Sequence, residues 1–262
     1  MTIYILLLFW IGFLVIHHRY YWRATLATNI KFTGSELIAH RGLKNNAPEN
    51  TIQAYLDAVD DNFSWIELDV LSTNDRVVVC SHNFELERKT EGTGYIHKMN
   101  FKDIDVPLIY SNNSVYAYYK IPTLSDVLEK IPNYIGLNIE IKTCSVFDFS
   151  TSRAIGGLVE KFRGRPVVLS SFNPLVVLFF RVFYREVPVG FLLESNIHFW
   201  LTNWIHPNLL IPRADMLNEK LFKYCKEKHL PILTWTVNNS HAINWCKNHN
   251  VSGIITDLKR TI

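Results

Sequence analysis

Cysteine is scarce in this 262-residue chain: Cys80, Cys144, Cys225 and Cys246 stand far apart, with no C-x-x-C pair. That spacing argues against a zinc-finger site and a dense disulfide framework. Cys80, inside the apolar run VVVCSH, reads as a small core residue rather than a nucleophile. No Lys/Arg block exceeds a dipeptide and the formal net charge is only +3, so nothing marks the chain as a nucleic-acid binder. No G-x-G-x-x-G follows the first strand-like run, which argues against a dinucleotide-binding open sheet. Aromatic residues are plentiful, with 7 Trp, 12 Tyr and 16 Phe, a bias that suits contact with lipid or a partner.

The N-terminus differs in kind from the rest. MTIYILLLFWIGFLVI carries no charge and runs into HHRYYWR. Extended through Trp22 it reaches about 20 residues, roughly the span of a hydrocarbon core. The aromatic and basic flank resembles an interfacial belt. The expectation is a retained single-pass transmembrane anchor over residues 1–22, a linker over 23–35, and a body placed in the cytoplasm by Arg19, Arg23 and Lys31. A cleaved signal peptide is the alternative, without a basic n-region or an A-x-A site to favour it. A buried core helix is the other alternative, poorly matched by a segment apolar all round.

From residue 36 onward short β-rich runs alternate with helical patterns. LIAH, WIELDV, RVVVCSH, LNIEIK, VVLSSF, VPVGFLL, NLLI, ILTWTV and GIITD read as strands. Helical stretches lie between most of them, with Asn50 and Thr123 as suitable N-caps. Repetition of strand then helix about eight times predicts a TIM (β/α)8 barrel, with a doubly wound sheet as the alternative. Residues 92–121 break the rhythm and read as a small insertion after the third strand-like run.

In a barrel, side chains at the C-terminal strand ends face the active site. Glu67 and Asp69 in WIELDV are two apart and share one strand face. Taken alone, they fit a solvated edge strand equally well. LNIEIK repeats the device with Glu140 and Lys142. Three carboxylates at neighbouring strand ends suit one hard divalent cation, Mg2+ or Ca2+, rather than zinc. His40 and His82 each close a strand-like run, and imidazoles can divide general base and general acid work. Arg41 and Lys142 offer positive charge to a phosphate, while Gly42 permits a sharp turn behind them.

AHRG…PENT, IELDV…T-x-D, SH followed by L-x-R-x-T-x-G-x-G, IPTL, LNIEIK, SSF and WTVN occur in this order between residue 37 and about 257. The series resembles the motifs of the glycerophosphodiester phosphodiesterases and covers nearly all of the chain after the anchor-like segment. The resemblance implies a TIM barrel over residues 36–262. It implies metal ligation by Glu67, Asp69 and Glu140, acid/base roles for His40 and His82, and phosphate contacts from Arg41 and Lys142. Trp235 then matches a pocket-wall aromatic, and Glu49 a polar support or outer ligand. One departure stands out: the family has His-Asp where this chain has His82-Asn83, which keeps one acceptor but removes a charge.

The expected activity is metal-dependent hydrolysis of a glycerophosphodiester or lysophospholipid with release of the headgroup alcohol. His40 is taken as base and His82 as acid. A catalytically weakened membrane-anchored lipid-binding barrel and a phosphoinositide-cleaving relative are the alternatives. The segments NPLVVLFFRVFYR (173–185) and IHFWLTNWIH (197–206) are unusually apolar for outer barrel helices. They are expected to cover a membrane-resting surface beside the site, with a well-buried helix or a homodimer contact as the alternative. With the anchor, the former reading favours a lysophospholipase D-like activity on a membrane lipid.

Overall fold

The computed structural model describes residues 2–26, 30, 32, 34–44, 46–104 and 119–260. An apolar helix, α1 (Thr2–Tyr20), precedes β1 (Glu36–His40), α2 (Ile52–Asp60), β2 (Trp65–Ser72) and β3 (Val78–Cys80). Then come α3 (Phe101–Ile104), α4 (Leu124–Lys130), β4 (Gly136–Ile141), α5 (Ser150–Gly156), β5 (Val167–Ser171) and α6 (Pro174–Phe183). The rest are β6 (Val189–Leu193), α7 (Thr202–Ile205), β7 (Leu209–Pro212), α8 (Glu219–Lys228), β8 (Leu233–Thr234), α9 (Ser240–Asn248) and β9 (Gly253–Thr256).

Eight of these strands are parallel and neighbour one another in the order β7-β6-β5-β4-β2-β1-β9-β8. The ring closes through parallel bridges between Leu210 and Ile232 and between Arg213 and Trp235. The result is a TIM-like barrel, as the alternating pattern predicts. RVVVCSH, however, contributes no barrel stave. Its strand β3 folds back antiparallel on β2, pairing Val70 with Cys80 and Ser72 with Val78. Beyond it, Leu86, Ile96, Ile104 and Ile121 form a separate small cluster with Leu71 and Val79. Residues 105–118 of the expected insertion lie outside the described residues, as do Lys31 and part of the expected linker.

Strand alternation sorts the side chains. Ala39, Ile66, Leu68, Val70, Leu137, Ile139 and Leu169 face outward into the layer shared with the helices. The other parity, including Ile38, Trp65, Val168, Leu192, Ile211, Leu233 and Ile255, packs together inside the barrel. The same inward parity continues up the strands to His40, Glu67, Asn138 and Glu140, which line a cavity at their C-terminal ends. At the lower end the Trp65 ring lies over Gly136, where a Cβ would sit 2.3 Å from it, and Phe32 stacks on it at 5.2 Å.

The helices start where side chains can cap them. Thr123 and Asp126 form the reciprocal capping box of α4. Asn173, followed by Pro174, caps α6 by accepting from the Leu175 N–H. The cap of α2 is Thr51, which accepts from Ala54, rather than the expected Asn50. The Asn50 side chain is taken up by Asp69 instead.

The expected transmembrane anchor, and the single-pass placement with a cytoplasmic body built on it, are not supported. Among the described residues no helix is long and apolar enough to cross a membrane. Helix α1 has 19 residues, and its last turn is His17, His18 and Arg19. Its apolar part ends at Ile16 and covers roughly 22 Å at ~1.5 Å per residue, short of the ~30 Å hydrocarbon core. The flank after α1 is partly taken up by the body of the protein, although Tyr20 and Tyr21 stay exposed. Trp22 is buried, donates its indole N–H to Asn203 at 3.2 Å and stacks on His206 at 4.6 Å. The His18 ring lies 4.1 Å from His206, and Arg19 sits over the Trp204 ring. Burial, with His18 beside it, pushes the His206 imidazole down to about 4. Helix α6, expected to be apolar on nearly every side, buries Val176, Val177 and Phe180 in the core and leaves Leu178, Val182 and Phe183 exposed.

Gly42 is where the backbone is tightest. Its φ is +78°, and a Cβ there would meet the Ala54 carbonyl carbon and oxygen at 2.6 Å. Gly42→Ala is expected to destabilise the fold by about 2–4 kcal/mol through left-handed strain and overpacking. Urea unfolding would measure this, and an unchanged midpoint would contradict the close approach.

Candidate active site

The parity of β2 and β4 brings three acids into one place. Register pairs Asp69 with Glu140 and Glu67 with Asn138 across the two strands. Ligand oxygens of Glu67, Asp69 and Glu140 all lie within 4.8 Å of one another. Asp69 is wholly buried and Glu67 nearly so. Burial of three like charges is costly, so the surroundings must supply cations or protons.

Two cations are built in. Lys142 Nζ donates to Glu140 Oε1 at 3.0 Å and reaches Asp69 Oδ1 at 3.4 Å. Arg41 Nε lies 3.0 Å from Asp69 Oδ2, and the Arg41 backbone N–H donates to Glu67 Oε2 at 3.0 Å. Arg41 takes a left-handed conformation, φ 58°, which turns that N–H toward Glu67. Asn50 completes the cradle: its amide donates to Asp69 Oδ2 at 3.0 Å. Its carbonyl accepts from Tyr55 Oη at 3.0 Å and from the Asp69 N–H at 3.1 Å.

The three carboxyls therefore sit in different protonation environments. Burial, then Asp69 and Glu140, push Glu67 well above the usual carboxylate range. Burial, then Asp69, lift Glu140 to about 7 despite Lys142. Burial also opposes ionisation of Asp69, but Lys142, Arg41, His82 and Asn50 outweigh it and hold the carboxyl below its ordinary value. Asp69 Oδ1 and Asn138 Oδ1 are buried without a hydrogen-bond partner. An all-oxygen donor set with unmet acceptors and two proton-holding acids fits a hard divalent cation.

Two histidines face the same cavity, of about 250 Å3, with Arg41, Glu67, Glu140, Lys142 and Trp235. The His40 Nδ1 is 2.8 Å from Asp257 Oδ1. Asp257 is fixed in turn by Lys44 at 2.5 Å and by the Asn238 amide at 2.6 Å, and these partners override burial to keep it far below the usual range. With the Asp257 carboxylate accepting a hydrogen bond from Nδ1–H, Nε2 of His40 is left as the free ring nitrogen. The His82 Nδ1 lies 3.2 Å from Asn83 Oδ1, so the asparagine still orients the ring without adding charge. Burial, with Lys142 and Arg41 nearby, pulls His82 below its ordinary value although Asp69 opposes this.

Trp235 is held by donation of its indole N–H to the Ile211 carbonyl at 3.0 Å. Phe172 meets it edge-on, with centroids 5.4 Å apart at 84°. Glu49 sits behind Arg41, accepting from it at 3.3 Å, and so acts as a support outside the acidic cluster. Sequence reasoning misses Asp257, Asn50, Asn138, Phe172 and Lys44. Parity could have found Asp257, since GIITD continues inward as Gly253, Ile255, Asp257. The sequence marks Asn50 only as a helix cap within PENT, because its tie to Asp69 depends on a loop crossing onto β2. A larger cavity, about 540 Å3, opens between Val159 and Pro188 and holds none of these groups.

Raised carboxyl values make cation binding compete with protons. With Glu140 titrating at about 7 and Glu67 also raised, Mg2+ or Ca2+ affinity should increase as pH rises through about 7. Proton release should accompany binding. Calorimetry at pH 6 and pH 8 in buffers of different ionisation enthalpy measures both; equal affinities without proton release would contradict the assignment.

Comparison with known proteins agrees with this geometry. Residues 40–259 match the Glycerophosphoryl diester phosphodiesterase family. Bacillus subtilis YhdW is 30% identical over 230 residues, covering 84% of this chain and 93% of that protein. A glycerophosphodiester phosphodiesterase of Caldanaerobacter subterraneus is 29% identical, covering 86% of this chain and 95% of its own. Among solved structures, an Oleispira antarctica phosphodiesterase in complex with the product sn-glycerol-3-phosphate superposes with a TM-score of 0.79. It is 24% identical, covering 87% of this chain and 95% of that one, so it shows the shared fold. The chain belongs to the glycerophosphoryl diester phosphodiesterase family.

Proposed function

We propose that the chain hydrolyses glycerophosphodiesters with one divalent cation, Mg2+ or Ca2+, releasing the headgroup alcohol and leaving the phosphate on glycerol. The observation that carries this reading is the meeting of Glu67, Asp69 and Glu140 with His40, Arg41 and Lys142 in one cavity. The three carboxylates would hold the cation, which when bound supplies positive charge to the diester oxygens. Lys142 and the Arg41 guanidinium add fixed positive charge beside the acidic cluster, which offsets the charge that builds on phosphorus-bound oxygen in the transition state. His40, tautomer-fixed by Asp257, takes the proton of the nucleophile, either water or the neighbouring glycerol hydroxyl. His82, whose environment weakens its hold on a proton, gives one to the departing alkoxide. With water as nucleophile, the proton gained at His40 is matched by the proton lost at His82, and bulk water resets both. With the glycerol hydroxyl as nucleophile, the cyclic phosphate that forms is opened by water in a second step in which the two histidines reverse roles and return to their starting states.

A lysophospholipid is the second substrate we propose, cleaved at the same bond in a lysophospholipase D-like reaction. Its support is apolar surface at the catalytic end. Phe147, 80% exposed, follows β4, and Ile197, 74% exposed, follows β6. These side chains offer contact to an acyl chain leaving the cavity, at ~25 cal/mol per Å2 of apolar surface covered.

His40→Ala and His82→Ala should each lower kcat about 10^2–10^4-fold, the range general acid/base groups contribute. Glu67→Ala should abolish metal-dependent turnover. Asp257→Asn, which keeps shape but removes the orienting charge, should lower kcat while leaving KM nearly unchanged. Choline release from glycerophosphocholine and from lysophosphatidylcholine, assayed with each cation, is the test. Absence of turnover on both diesters with either cation would overturn the enzyme reading in favour of a binding barrel, and release of inositol phosphate from added phosphatidylinositol would indicate the phosphoinositide-cleaving chemistry instead.

A further inference from the structure

The catalytic cavity has two unlike walls. One, from β1, β2, β4 and the segment after β3, carries Glu67, Glu140, Arg41, Lys142 and the two histidines. The other is built by the residues that continue β5, β6 and β8 on their inward parity: Phe172, Leu192, Glu194 and Trp235. Phe172 and Trp235 stand nearly perpendicular at 84° and so present one ring face and one ring edge as adjoining walls. Trp235 cannot swing away while its N–H is bound to Ile211.

Glu194 is the single ionisable group on this wall. Among the described residues it makes no hydrogen bond or ion pair of its own. Arg213 is within electrostatic reach, but its guanidinium is committed to Asp215, with Nε and Nη2 at 2.8 and 2.9 Å from the two carboxylate oxygens. Arg213 and Asp215 cancel, so one negative charge remains beside two aromatic rings. An aromatic corner with a carboxylate at its rim recognises an organic cation: the one ring face it presents attracts an ammonium and the carboxylate fixes its side. The opposite wall, once it carries a cation with Arg41 and Lys142, attracts the phosphate. The cavity is thus charge-complementary to a zwitterion with phosphate at one end and ammonium at the other.

We propose that Phe172, Trp235 and Glu194 form a subsite for a cationic leaving alcohol, a quaternary or primary ammonium attached to the diester. The inference rests on the phosphodiesterase reading above and adds to it the charge of the preferred substrate. It places Glu194 outside the chemistry, as a specificity-determining residue, because it continues β6 away from the cluster of Glu67, Asp69 and Glu140.

The test compares kcat/KM on glycerophosphocholine and glycerophosphoethanolamine with kcat/KM on glycerophosphoglycerol and glycerophosphoinositol, which release uncharged alcohols. Wild-type protein should prefer the cationic pair. In Glu194→Gln the cationic-to-neutral ratio should fall about tenfold, the change that follows from losing one partly desolvated charge contact. Phosphocholine should inhibit the wild type competitively and the variant correspondingly more weakly. Glu194 is exposed, so the glutamine variant should fold; circular dichroism checks that. An unchanged ratio, or an equal fall on all four diesters, would overturn the inference while leaving the hydrolase reading intact. Failure of the wild type on all four would overturn both.

Discussion

The structure depends on confining three carboxylates in a space that cannot hold three charges unaided. Glu67, Asp69 and Glu140 lie within 4.8 Å of one another, two of them buried. Against them stand Arg41 and Lys142, leaving one net negative charge if all ionise. A bound dication would make the site positive by one, and a phosphodiester monoanion would bring it to neutrality. Charge balance therefore argues for the order of assembly, cation first and substrate second. Burial and the same crowding of like charge raise Glu67 and Glu140 above the usual carboxylate range, so a cation binding there would compete with their protons.

Much of the surrounding fold serves that confinement. Trp65 and Phe32 close the lower end of the barrel, and the apolar layer of Ile38, Val168, Leu192, Ile211 and Leu233 separates this plug from the polar ends above. Loop residues then lock the acids in place. Arg41 and Asn50 both adopt left-handed backbone conformations, and each turns polar groups onto Glu67 or Asp69. Such conformations cost on the order of 1 kcal/mol each for non-glycine residues, and the carboxylate contacts offset that cost. The histidines are steered by different means, a carboxylate for His40 and a neutral amide for His82. The two rings are thus held by partners of different charge, Asp257 for one and Asn83 for the other.

The sequence reveals the parts of this that depend on period and position. Residues two apart on a strand share a face, so Glu67 with Asp69 and Glu140 with Lys142 are visible as pairs from their spacing alone. Alternation of strands and helices likewise gives the barrel. What stays hidden depends on contacts distant in the chain. RVVVCSH looks like a barrel strand because periodicity does not encode whether a partner is parallel or antiparallel. Asn50 looks like a helix cap because its type suits one, while its tie to Asp69 arises only when the loop folds over β2. The N-terminal segment looks like a membrane span by hydropathy. Its polar end turn and the docking of Trp22 on His206 and Asn203 are tertiary facts. Asp257 and Glu194 are legible by strand parity, although each stands just past the end of an apolar run where no paired acid draws notice to it.

The central claim is that one divalent cation sits among Glu67, Asp69 and Glu140. Crystals soaked in Mn2+ and measured at its absorption edge test this most directly. The expected result is a single strong anomalous peak bounded by these three carboxylates, lost in Glu67→Gln. A peak elsewhere in the barrel, or none in crystals that still turn over substrate, would contradict it.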